Sequence, residues 1–239
     1  MNFSEKASFN FSRHLKENTY PGRGLVIGKS TNNWLLIYWI MGRSPNSRNR
    51  RFADENGILR TVPVDYDKVT DPSLIIYDAM LELPGIYIVS NGDQTKTIYD
   101  AIQNRASFQD ALATRDREPD SPNFTARISG ILKFESKDAK MTLGILKANT
   151  IDPEYTDRYY YEPAIPENGY GYGITTYQGD GDPLPSFAGD PLLLPLQGST
   201  EEILEAYWEA LDAMNRVSMA VKEISLNGDK SRILIKNQY

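Results

Sequence analysis

Four arginines fall within nine residues of one segment, GRSPNSRNRRF: Arg43, Arg48, Arg50 and Arg51. Guanidinium groups present several N–H donors in a planar fork, which suits a phosphate or a polarised carbonyl oxygen. The same spacing also fits a solvated basic loop. A second segment, DREPDSPNFTARISG, sets Glu118 and Asp120 in a proline-rich stretch just before Thr125 and Arg127. A carboxylate held beside an arginine can move protons if it is buried, and the plainer reading is a surface loop with a cap. A third segment, SNGDQT, follows the apolar run GIYIV. Ser90, Asn91 and Gly92 there read either as a strand-to-helix turn, with Asp93 or Thr95 as N-cap, or as backbone N–H groups gathered for an anion. It matches neither the P-loop nor the G-x-G-x-x-G pattern. Tyr77, in an otherwise apolar run, reads by itself as a core tyrosine.

Composition narrows the chemistry. The 239 residues contain no cysteine and one histidine, His14. Thiolate nucleophiles, disulfides and cysteine metal sites are excluded, and a His-rich metal site or a Ser-His-Asp triad has too little to work with. No metal or other cofactor is expected. The net charge of −6 leaves no global basic footprint for nucleic acid. No basic-then-apolar leader and no apolar run of membrane-spanning length is visible, so a cytoplasmic protein with no membrane or nucleic-acid partner is expected.

The elements that must position these residues are mainly strands. GLVIG (24–28) and WLLIYWIM (34–41) flank a Ser-Thr-Asn-Asn turn and predict a hairpin. GILRTVPVDY, PSLIIYDAM and GIYIVSNG read as further strands. TKTIYDAIQNRASFQDALATRD switches to helical spacing, broken in two at NRAS. TARISGILKF and KMTLGILKA predict a hairpin around ESKDA. One strand, 171–177, precedes a long loop, and SRILIKN closes the chain as a strand. The tyrosines of RYYY (158–161) read as packing or interface residues. Ser199 and Glu202 form a capping box, and Ile203, Tyr207, Leu211, Met214, Val217 and Val221 predict one long helix over 199–224. Residues 1–18 read as a polar N-terminal extension and 19–239 as a single domain. Strands first and helices grouped later argue for α+β with antiparallel sheets.

Taken in order, five fragments resemble the archaeal-type inosine-monophosphate cyclohydrolase family: TYPGRGLVIGKS (19–30), GRSPNSR (42–48), PSLIIYDAM (72–80), IVSNGDQT (88–95) and EPDSPNFTARI (118–128). The second resembles a Ser-Arg-Ser-x-Pro-Asn-Arg element, with Gly42 in place of the first Ser and Pro-Asn shifted by one residue. The resemblance is good over roughly 19–145 and weaker over 150–198. It implies a four-layer αββα sandwich of two mainly antiparallel sheets flanked by helices, similar to the N-terminal-nucleophile hydrolases but without such a nucleophile. It implies cyclisation of a formamido-imidazole-carboxamide ribonucleotide to inosine monophosphate, with loss of water. Arg48 matches an essential arginine, Glu118 an essential glutamate and Tyr77 a pocket tyrosine. Ser90, Asn91 and Gly92 match the pocket lining, and Thr125 and Arg127 match residues that hold the base or phosphate. Arg23 and Arg43 are further phosphate candidates. The expected partner is thus a small purine ribonucleotide, and a homo-oligomer is compatible. The alternative is a diverged purine-nucleotide-binding protein or amidohydrolase on the same fold.

Overall fold

Side-chain alternation along the strands sets the architecture of this computed structural model, which describes residues 1–69, 72, 75–135 and 138–239. Two antiparallel sheets form. Numbered along the chain, the six strands of the first lie in the order β11 (Leu192–Pro195), β10 (Tyr170–Thr175), β1 (Gly24–Lys29), β2 (Asn33–Met41), β12 (Arg216–Ser225), β13 (Ser231–Asn237). The seven of the second run in sequence: β3 (Arg51–Glu55), β4 (Ile58–Val62), β5 (Asp78–Leu83), β6 (Ile86–Ser90), β7 (Arg127–Glu135), β8 (Asp138–Ala148), β9 (Thr156–Tyr161).

The sheets pack face to face. Leu25 and Ile27 of β1 point at β7, where a Cβ on Gly130 would come within 2.7 Å of Ile27 Cδ1. That glycine lets the two layers approach at the middle of the core. Trp34 and Tyr38 of β2, on the same face, meet Phe134 and Phe52 of the second sheet edge-on or tilted, at centroid distances of 6.0 and 5.4 Å. The intervening residues of β2 face outward: Trp39 meets Tyr207 of helix α5 (Thr200–Ala210). Helix α1 (Phe3–Phe11) covers β11 on the flank of the same sheet, with Ala7 fully buried and Asn10 Nδ2 donating to Leu193 O at 3.0 Å. On the far face of the second sheet, Ile98 of α3 (Gln94–Gln103) and Phe108 and Leu112 of α4 (Phe108–Ala113) pack on Ile88, Ile131 and Leu146. The result is helix, sheet, sheet, helix, the layer order that the resemblance implies and with which the α+β expectation is compatible. The predicted extension is therefore docked, through α1 and a wider turn at Ser12–Lys16 that buries Leu15.

Several local expectations are corrected. The helix read over 199–224 ends at Ala210, because Leu211 is extended (φ −78°, ψ 142°) and Asp212 accepts from Met214 N and Asn215 N to form a turn. The rest becomes β12, buried on both faces, so its apolar residues fit helical spacing as well as a strand. Strands β3, β9 and β11 were not anticipated; β9 is the RYYY segment, an edge strand. The break at NRAS is present, with Arg105 at φ 63° and Ser107 capping α4, and the Ser199–Glu202 capping box is present. The strand read over 72–80 begins at Asp78. Ser73 and Leu74 lie outside the described residues, as do Ser136 and Lys137 of the ESKDA turn.

Candidate functional site

Both sheets end together at one edge of the sandwich. Arg23 precedes β1, Arg43 follows β2, Arg50 precedes β3, Thr125 precedes β7 and Tyr177 follows β10. The chain crosses from one sheet to the other through 42–50, which carries the arginine-rich segment and one helical turn, α2 (Pro45–Arg48), capped by Ser44. These ends enclose a cavity of about 260 Å³. Gly22 stands at its rim with φ +71°, and a Cβ there would meet Thr176 Oγ1 at 2.2 Å and the Tyr177 ring at 2.5 Å. A side chain at that position would displace Tyr177 from the wall.

Arg23 is held on two sides. Its Nη1 donates to Glu118 Oε1 at 2.5 Å and to Asn91 O at 3.2 Å, and its Nη2 reaches Glu118 Oε2 at 3.3 Å. Burial by itself would lower the Arg23 pKa, but the Glu118 carboxylate, helped by the hydroxyls of Tyr77 and Tyr38, raises it well above its ordinary value. Arg23 is thus a fixed cation. Tyr77 and Tyr38 hydroxyls meet at 2.7 Å in the buried layer between the sheets. Burial, and then Tyr77, push Tyr38 well above the usual phenol range, so it stays protonated.

Arg50 differs from Arg23. It is only 4% exposed, its Nε donates to Ser47 O at 2.8 Å, and its Nη1 is buried without a partner. Burial, and then repulsion from Arg23, lower its pKa. A buried guanidinium nitrogen without an acceptor is costly, and Arg50 lines the cavity. Arg43 lines it too, ion-paired with Asp180, donating to Gly181 O at 3.2 Å and lying 4.9 Å from the Tyr20 ring centroid. Tyr20 stacks on Tyr177. The Tyr177 hydroxyl is 2.5 Å from Thr125 Oγ1, and Thr125 Oγ1 in turn hydrogen-bonds Asp120. Since Asp120 can only accept, the protons run Tyr177 to Thr125 to Asp120. Burial pushes Tyr177 up to about 12, so it is a neutral donor at neutral pH.

The predicted site residues divide into two groups, with Arg48 outside both. Arg23, Arg43 and Thr125 line the cavity; Glu118 grips Arg23, and Tyr77, which is not among the lining residues, bonds Tyr38 in the buried layer between the sheets. Ser90, Asn91, Gly92 and Arg127 form the support behind it. Ser90 bonds Ser129 on the helix-facing side of the second sheet. The Asn91 side chain bonds Ala126 O, Ile128 N and Gln94, which aims its carbonyl at Arg23. Arg127 donates to Asp93, Gln94 and Asp116 O, and packs where a Gly92 side chain would sit. Arg48 ties Gly42 O (2.9 Å) to Asn215 Oδ1 (3.4 Å) and is not among the lining residues. Tyr38, Tyr20 and Tyr177 were not singled out from sequence, whereas Arg50 and Asp120 were named there, among the four arginines and beside Glu118, but were not carried into the predicted site. A tyrosine on the inward face of an all-apolar strand was the available signal for Tyr38. For Arg50 it was its place in the arginine-rich segment.

A larger surface hollow of about 480 Å³ lies between β8 and residues 162–165. Its charged groups, Lys133, Glu135, Lys140 and Glu162, are partly or fully exposed, so it lacks the buried charge that marks the sandwich-end cavity. Among the described residues, no group of three or more His, Asp or Glu side chains could hold a metal ion, and no helix is long and apolar enough to cross a membrane.

Comparison with known proteins gives a consistent result. Residues 20–229 match the family model described as IMP cyclohydrolase-like protein. Among curated proteins, the IMP cyclohydrolase of Methanococcus maripaludis (strain C7) is 31% identical over 122 residues, 49% of this chain and 60% of the relative. That of Methanocella arvoryzae is 30% identical over 118 residues, 47% and 57% of the two chains. That of Methanopyrus kandleri is 28% identical over 163 residues, 66% and 75%. The match thus spans about 60% of the length of the first two relatives.

Proposed function

The chain belongs to the IMP cyclohydrolase-like family, and on that premise we propose that it closes the purine ring of 5-formamidoimidazole-4-carboxamide ribonucleotide to give inosine monophosphate and water, in the cytoplasm, as the last step of purine biosynthesis. The helix-flanked pair of sheets fits the N-terminal-nucleophile-hydrolase-like architecture that the resemblance implies. The observation that carries the reading is the sandwich-end cavity, where one arginine is locked by a buried carboxylate and a second is buried with a free donor.

The chemistry asks little of a protein. The carboxamide nitrogen attacks the formyl carbon of the same molecule, so both partners are already tethered and proximity is largely intramolecular. One proton leaves the carboxamide nitrogen and one the formamido nitrogen, and both depart with the formyl oxygen as water. The enzyme must hold the reactive rotamer, stabilise the charge that develops on the formyl oxygen, and move protons. Arg50 suits the second task, because its Nη1 has no partner to give up. The family element that GRSPNSR resembles ends in Asn-Arg, and this chain repeats that dipeptide at Asn49–Arg50. Arg23 adds fixed positive charge. Glu118 is placed to exchange protons once the ligand draws Arg23 away, and the Tyr77–Tyr38 pair can give one hydroxyl proton toward the ligand. Arg43 would hold the phosphate by exchanging Asp180 for it.

The test is direct. Wild-type protein supplied with the formylated ribonucleotide should show ring closure by ultraviolet absorbance, and Glu118→Gln should abolish it with folding intact. Turnover retained in Glu118→Gln sinks the mechanism. No turnover in the wild type, with purine monophosphates still raising its Tm, favours a binding protein instead.

A further inference from the structure

We propose that Asp120 accepts hydrogen bonds from the vicinal hydroxyls of the ligand's ribose, so that the cavity selects ribonucleotides over 2′-deoxyribonucleotides. The proposal rests on the reading above, that the ligand is a purine ribonucleotide.

Asp120 is the carboxylate that lines the cavity; Glu118 and Asp180 are turned onto Arg23 and Arg43. Its Oδ1 accepts from Thr125 N at 2.6 Å and its Oδ2 from Thr125 Oγ1. An ionised carboxylate offers about four acceptor sites, so roughly half remain, and they can do nothing but accept. Arg50 lines the same cavity and carries an unpartnered Nη1 that can do nothing but donate. A fitting ligand must therefore carry both an anionic or carbonyl oxygen and hydrogen donors.

A purine ribonucleotide precursor divides in this way. Its phosphate, formyl and carboxamide oxygens are acceptors and belong with the arginines. Its donors are the ribose hydroxyls and the amide N–H groups. The amide nitrogens lie at the ring-closing end, where oxygen charge develops and a donor such as Arg50 is needed. That leaves the ribose for Asp120. A carboxylate facing a dianionic ligand repels it unless hydroxyl protons intervene, and an acidic residue on a ribose diol is a recurrent solution. Asp120 is also held in place. Thr125 fixes both oxygens, and Tyr177 fixes Thr125. Little reorganisation is needed on binding.

The experiment is calorimetric titration of inosine monophosphate and 2′-deoxyinosine monophosphate into wild-type protein and Asp120→Asn. Wild type should bind the ribonucleotide at least about tenfold more tightly. Asp120→Asn should lose that margin, weakening the ribonucleotide several-fold more than the deoxynucleotide, which retains only the 3′-hydroxyl. Equal affinity of the wild type for both nucleotides overturns the proposal without need of any variant, so it is decided even if Asp120→Asn does not fold. An equal loss for both nucleotides in the variant also overturns it, since Asp120 would then be supporting Thr125 or reading the base. Binding of neither nucleotide by the wild type removes the underlying reading together with the proposal.

Discussion

Arg50 and Arg48 sit two residues apart and face opposite demands. Arg48 spends its donors on Gly42 O and Asn215, tying two turns together. Arg50 keeps a donor unused in a buried position, which is a cost to folding that a ligand oxygen would relieve. The consequence is a split between stability and activity. Arg50→Met should leave the Tm unchanged or higher, because an unpaired buried cation is replaced by apolar surface, while ring closure falls roughly 100-fold or more. Arg48→Met should cost about 1–2 kcal/mol of stability through two lost hydrogen bonds and leave turnover within about threefold. Thermal melts and steady-state rates on both variants check this. The reverse pattern would mean that Arg48 enters the cavity.

At the scale of elements, the turn between β6 and α3 is held from outside the cavity. Asp93 receives Arg115 and, at 2.8 Å, Arg127. Burial alone would raise the Asp93 carboxyl, but the two arginines pull it below the ordinary value. A carboxylate whose folded pKa is depressed stabilises the protein above its unfolded pKa of about 4, and that contribution disappears as pH falls through the folded value. Asp93 is about half exposed, so solvent screening limits the effect to under about 1 kcal/mol. Asp93→Asn should therefore melt slightly below wild type at pH 7, and the gap should shrink as pH falls through the depressed folded value. A gap that stays constant on acidification would count against the ion pairs as its source. The same turn shows what spacing can and cannot say. A strand, a polar turn and a helix were legible in GIYIVSNGDQT. Which way Ser90 faces was not, because it depends on pairing with Ser129 across the sheet.

Over the whole molecule, the first eighteen residues behave as part of the sandwich. α1 closes the β11 flank by burying Ala7 against Leu193 and Tyr170, and Phe11 meets Tyr207 at 5.0 Å. Removal of residues 1–11 should expose this flank and lower the Tm by several degrees, since a loss of about 1 kcal/mol shifts a chain of this size by roughly 2–4 °C. The cavity lies at the strand ends, contacted by none of these residues, so affinity for purine monophosphate should survive in the truncated protein below its Tm. Melting and nucleotide titration on the truncated chain measure both. Loss of binding in a protein that is still folded would show that α1 supports the site.

The sequence by itself determined the class of the molecule. Apolar runs with turn residues between them argue for antiparallel strands, and the absence of cysteine with a single histidine leaves carboxylates, arginines, tyrosines, lysines or backbone groups to carry any chemistry. Through the family resemblance it also brought forward Arg23, Arg43, Glu118 and Thr125, in one list with Arg48, Tyr77, Ser90, Asn91, Gly92 and Arg127. Two things were decided only by tertiary structure. Met219 and Val221 became part of a strand because they found partners on β2 and β13, a long-range pairing that local spacing does not encode. Arg50 was distinguished from three neighbouring arginines by burial and by an Nη1 without an acceptor. Burial is a property of what surrounds a residue, and what surrounds Arg50 comes from residues as distant as Arg23, Asp120 and Tyr177, which only the packed sheets bring to one end.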